Sequence, residues 1–68
     1  MTDGRRLLLL ALTRTSIRYM SLRLGVTEAA IYHWSAGANR PGPRARRALE
    51  KNYEIPTGSW FTYQSRQT

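Results

Sequence analysis

The sequence predicts an all-α domain, compact and built from four to five helices, and three observations carry that prediction. Apolar residues recur at spacings of three and four along most of the chain, the signature of one buried helical face. Helix-ending glycines and prolines punctuate those stretches at regular intervals. Residues suited to cap a helix N-terminus, Asp3, Thr15 or Ser16, and Thr27, precede the first three of those stretches. Sixty-eight residues make one domain, whose core is necessarily modest. The chain has no cysteine and a single histidine, His33, which rules out disulfides and argues against a protein-only zinc site.

Asp3 is placed to cap a first helix running to about Thr13, with Leu7 to Leu12 as its buried side. Four consecutive leucines cover more than one helical face, so some of them meet a second neighbour or stay partly exposed. Arg14-Thr15-Ser16 reads as a short connection in which Thr15 or Ser16 caps a second helix, Ile17 to about Leu24. There Ile17, Met20, Ser21 and Leu24 share one face. Gly25 stops that helix, because a residue without Cβ takes the left-handed conformation at least cost. Thr27 then caps a third helix through about Ser35, with Ile31 and Trp34 facing the core beside Val26. Gly37 ends it, and Ala36 to Pro43 is a loop by composition.

Pro43 suits the first turn of a fourth helix, where a missing N–H costs nothing. That helix runs to about Tyr53, with Ala45, Ala48, Leu49 and Tyr53 inward and Arg44, Arg46 and Arg47 outward. One of Arg46 and Arg47 is expected to face solvent and the other to pair with Glu50. Pro56 prevents continuation, and Thr57 or Ser59 starts a further short turn carrying Trp60 and Phe61. The domain is thus expected over residues 1–63, with 64–68 as a polar, frayed tail.

The charge balance narrows the function classes. Eleven Arg and Lys face four Asp and Glu, a net charge of +7, and ten of the eleven are arginine. Arginine's planar fork suits phosphate and guanine edges better than an ammonium does. A field of that sign on a small domain implies a polyanionic partner, the plainer alternative being a solubility device. Arg5-Arg6 before the apolar run Leu7 to Leu12 imitates an export signal. The run is six residues, against about 7–15 for such signals. No membrane span of ~20 apolar residues is present in the sequence, so a soluble, cytoplasmic protein is expected. No nucleophile–base pair, glycine-rich phosphate cradle or metal cluster appears, so the reading is not an enzyme, with no cofactor and no evident small-molecule ligand.

The informative unit is helix, Gly25-Val26-Thr27, helix, roughly residues 17–35. A short glycine-pinned turn sets two helices at a steep angle and leaves the start of the second projecting. Met20-Ser21-Leu22-Arg23-Leu24-Gly25-Val26-Thr27, then Ile31, Trp34 and Gly37, resemble the lambda-repressor-like helix-turn-helix regulators of phages and bacteria, the Cro or Xre group. Arg46, Leu49-Glu50 and Tyr53-Glu54-Ile55-Pro56, followed by Trp60, are similar to a variant of that family. The likeness covers about residues 4–61. Two positions depart from the pattern. Ile17 stands where many relatives carry a phosphate-anchoring glutamine, and Arg14 lies near a missing glycine. The grip at Ile17 then falls to backbone N–H groups, Ser16 or Arg18.

The resemblance implies sequence-specific binding of double-stranded DNA by a transcriptional regulator, a repressor acting on an operator. It places base-edge contacts at Thr27, Glu28, Ala29, Tyr32 and His33. Glu28 suits a cytosine amino group, or else simply favours the helix dipole. Ala29, and with less reason Ala30, offers a methyl to thymine, or is merely a good helix former. Tyr32 and His33 reach a base or a phosphate, though a lone histidine is more often an ordinary surface residue. Phosphate contacts are assigned to Ser16, Arg18, Arg23, Asn39, Arg40 and Arg44, the alternative being a solvated charged face. Trp60, Phe61 and Tyr63 either close the core or form a homodimer surface, since relatives bind paired half-sites. Competing readings are a phage packaging or recombination accessory, an antitoxin's DNA-docking module and a protein-binding helical domain.

Overall fold

In the computed structural model, which describes residues 1–63, the chain forms α1 (Asp3–Ala11), α2 (Ile17–Leu24), α3 (Glu28–Ala36) and α4 (Pro43–Tyr53), followed by a 3₁₀ turn, Thr57–Phe61. Among the described residues there is no strand, only one isolated antiparallel bridge between Thr2 and Tyr63. The expected tail at 64–68 lies outside the described residues. No helix among the described residues is long and apolar enough to cross a membrane.

Each helix begins and ends for a chemical reason. Ser16 and Thr27 hold extended backbone and accept from the N–H groups of Tyr19 and Ala30 at 3.0 Å each, satisfying a donor that has no partner inside the helix. Gly25 (φ 70) and Gly37 (φ 80) close α2 and α3 in the left-handed conformation. The cap of α1 differs from expectation. Thr2, and not Asp3, accepts from Arg5 N, and Asp3 becomes the first helical residue. Asp3 is used elsewhere: its N–H donates to Thr62 O at 2.9 Å, and its carboxylate accepts from Thr62 Oγ1 at 3.0 Å. Helix α1 also stops at Ala11 and not Thr13, where Thr13 Oγ1 donates to Leu10 O and turns the chain. At the end of α4 the left-handed position is held by Glu54 (φ 57), without a glycine.

The core is one cluster of Leu8, Met20, Ile31, Trp34, Leu49, Ile55 and Trp60, so every helix and the 3₁₀ turn contributes to it. Burying each such side chain stabilises the fold by about 1.5–3 kcal/mol, which a small chain needs in full. Of the leucine run only Leu8 is fully buried, while Leu10 stays exposed. Buried Ser21 donates to Arg18 O at 2.7 Å, so its hydroxyl enters the interior already satisfied. The 3₁₀ turn packs on both α1 and α4, and α3 rests on α1 and α2. Trp60 is 1% exposed and lies against Gly4, where an added Cβ would come within 2.4 Å of the indole. Of the two roles open to Trp60, the structure thus takes closing the core.

Candidate functional site

Chain direction reverses its helical run at Gly25, whose N–H and that of Val26 both donate to Ser21 O, at 2.9 and 3.1 Å. Residues 17–35 are therefore two helices and not one rod. The second of them is asymmetric. Ile31 and Trp34 are buried, whereas Thr27, Glu28, Ala29, Tyr32, His33 and Ala36 are exposed. Positions 28, 29, 32, 33 and 36 follow the three- and four-residue spacing of a single helical face. All five residues assigned to base contact therefore lie on one exposed stripe that runs from the cap of α3 into its last turn. The rings of Tyr32 and His33 are 6.5 Å apart and tilted by 56°, which spreads them across the stripe without stacking.

The far end of α3 is anchored by a residue that sequence reasoning passed over. Arg5, on α1, donates from Nε to Ser35 O at 2.7 Å and lies against Gly37. A guanidinium on the last carbonyls of a helix complements its negative end. The signal-like appearance of Arg5-Arg6 hid this role, because its partner is 30 residues away.

The residues assigned to phosphate contact divide into two sets. Ser16, Arg18, Asn39, Arg40 and Arg44 are all exposed, the first two at the start of α2 and the others on the segment after α3. Ser16 Oγ accepts from Tyr19 N, which leaves its own O–H able to donate outward. The N-terminus of α4 has no side-chain cap, since Gly42 holds that position, so its first N–H groups are open to an anion. Arg23 stands apart. Its guanidinium donates to Asn52 Oδ1 at 3.1 Å and to Tyr19 Oη at 3.4 Å, and it sits 6.0 Å from the Tyr19 ring centroid. The hydrogen bond to Tyr19 raises its pKa above the ordinary arginine value, and the bond to Asn52 links it to α4. Beside it, burial pushes the Tyr53 hydroxyl above its ordinary pKa, with the Arg23 charge opposing.

Arg46 also departs from expectation. Neither free in solvent nor turned to Glu50, it is half-buried, donates from Nη1 to Pro41 O at 2.7 Å and lies 4.8 Å from the Phe61 ring centroid. The nearby loop carbonyl and aromatic face outcompete an exposed helix-surface ion pair, which is worth little in water. Arg40 approaches the same ring at 5.1 Å. Phe61 is thus engaged within the chain, while Tyr63 is exposed and paired to Thr2 only through backbone. A cleft of about 470 Å³ adjoins this region, bounded by Arg5, Trp34, Asn39, Arg40, Trp60 and Tyr63. Among the described residues no cluster of His, Cys, Asp or Glu could hold a metal ion.

What these features define is a small all-helical domain presenting an exposed helical stripe beside arginine-bearing segments. Comparison with protein-family models, curated proteins and solved structures yields no match to this chain.

Proposed function

We propose that this protein binds double-stranded DNA in a sequence-specific manner as a helix-turn-helix regulator of the lambda-repressor-like kind, occupying an operator and repressing from it. One observation carries the proposal: a short, capped helix is broken from its neighbour at Gly25 and exposes Thr27, Glu28, Ala29, Tyr32 and His33 together. A helix of that width fits the major groove, where base pairs present distinct donor and acceptor patterns. The surrounding chemistry supports the same reading. Ser16 and Arg18 precede the stripe along the chain and Asn39, Arg40 and Arg44 follow it, all exposed and of the types that hold backbone phosphates. The net charge of +7 favours a polyanion. In this proposal two copies act on paired half-sites, and Phe61 and Tyr63 are the terminal aromatics whose exposure leaves them for pairing, since Trp60 is in the core.

Selection from random duplexes at fixed salt tests the reading. It should recover a single consensus, and symmetry in that consensus reports pairing. Changing Glu28 to Gln or Tyr32 to Ala should shift the preference at one base pair by about 1–3 kcal/mol. Recovery of no consensus, with binding that tracks salt alone, overturns the proposal in favour of a bulk polyanion binder.

A further inference from the structure

Phe61 is 53% exposed at the end of the 3₁₀ turn, and two guanidinium groups approach its ring. Arg40, from the loop after α3, and Arg46, from α4, stand 5.1 and 4.8 Å from its centroid, inside the range of a cation–π contact. Their remaining donors differ. Arg46 spends its Nη1 on Pro41 O, and Pro41 is buried, so Arg46 pins the loop from below. Arg40 is exposed. A guanidinium held over a ring by cation–π attraction spends no N–H donor on it, so its donors stay available to meet phosphate oxygens two at a time.

We infer that Phe61 is a positioning residue for a phosphodiester subsite: it holds Arg40 oriented for one backbone phosphate, while Arg46 fixes the loop that carries it. The inference rests on the DNA-binding reading above and adds a residue from the far end of the chain to that surface. A long, exposed arginine otherwise loses rotamer freedom on each contact, and a preformed stack removes part of that cost before binding. Phe61 thereby contributes affinity without touching DNA, equally for every sequence, because a phosphate carries no base identity.

A double-mutant cycle on the selected duplex and on an unrelated one, read by fluorescence anisotropy across a potassium chloride series, tests this. Phe61→Leu should weaken binding to both duplexes about 2- to 5-fold, the worth of an exposed cation–π contact. It should lower the slope of log affinity against log salt by up to about 0.9, one phosphate's share. In an Arg40→Ala background the same change should do almost nothing, and Phe61→Tyr should behave as wild type. Equal losses with and without Arg40, or no loss at all, overturn the inference. If Phe61→Leu fails to fold in a thermal melt, Phe61→Met asks the same question, since it keeps an apolar side chain of similar size and removes the ring; wild-type affinity there also overturns it. A wild-type chain that binds no duplex defeats the DNA reading itself, whereas wild-type binding with an unmoved Phe61→Leu defeats only this subsite.

Discussion

Gly25 and Gly4 sit at two junctions of the same small fold, and they are glycine for opposite reasons. At Gly25 there is room: an added Cβ would meet nothing within 4 Å, but φ is +70. At Gly4 the backbone is ordinary helix, but an added Cβ would lie 2.4 Å from Cδ2 of Trp60 and 2.7 Å from Cε3. One position is constrained by the angle of its own backbone and the other by a ring contributed from the opposite end of the chain. The first builds the break that exposes the α3 stripe. The second seals the body that holds the stripe still.

That contrast predicts different costs for the same substitution. Gly4→Ala should be the more severe. Alanine gains about 1 kcal/mol in helix propensity, but Trp60, 1% exposed, would have to leave its packed place in the core to make room. Displacing a core tryptophan costs up to about 3–5 kcal/mol, so a net loss of roughly 2–4 kcal/mol is expected. Thermal midpoints should fall by more than about 10 °C on a domain of this size. An unchanged or raised midpoint would mean that propensity governs the site and that Trp60 does not pack as described.

Gly25→Ala should cost less, roughly 1–2 kcal/mol, the penalty of a left-handed residue with a Cβ. Because the surroundings are empty, Gly25→Asn should recover part of it, as asparagine tolerates that conformation. Equal losses for Ala and Asn in thermal melts would show that crowding, and not φ, is at issue. The two glycines would then no longer be different in kind.

The same distinction explains what was readable from the residues alone. Gly25, Thr27, Gly37 and Pro43 are readable in their roles, and Ser16 as one of two candidate caps beside Thr15, because each is decided by neighbours within one helical turn. The buried faces at Met20, Ser21, Ile31, Trp34 and Leu49 were legible through spacing, and the exposure of Glu28, Ala29, Tyr32 and His33 is its complement. Gly4 against Trp60, Arg5 on the end of α3, and the Phe61 stack were not, since they join segments far apart in sequence. Thr2 and Asp3 were confused because both are good caps. Only the distant Thr62 decides between them, by drawing the Asp3 carboxylate away.

Glu54 offers the gentlest and most discriminating test, because it combines Gly25's conformation with a residue poorly suited to it. Its φ is +57, its N–H donates to Glu50 O at 3.0 Å and that of Ile55 donates to Leu49 O, so it closes α4 as Gly25 closes α2. A non-glycine here pays about 1–2 kcal/mol. Its acid also sits at the negative end of the helix, a further cost of about 0.3–1 kcal/mol. Glycine would lift both but lose about 0.5–1 kcal/mol through its freer unfolded chain. Glu54→Gly should therefore stabilise the domain by about 0.3–2.5 kcal/mol, seen as a higher denaturation midpoint with an unchanged slope. Glu54→Ala, which removes the acid but keeps the strain, should gain less than glycine does. If alanine matches or exceeds glycine, charge alone governs the end of α4, and backbone angle loses its claim to explain both helix ends.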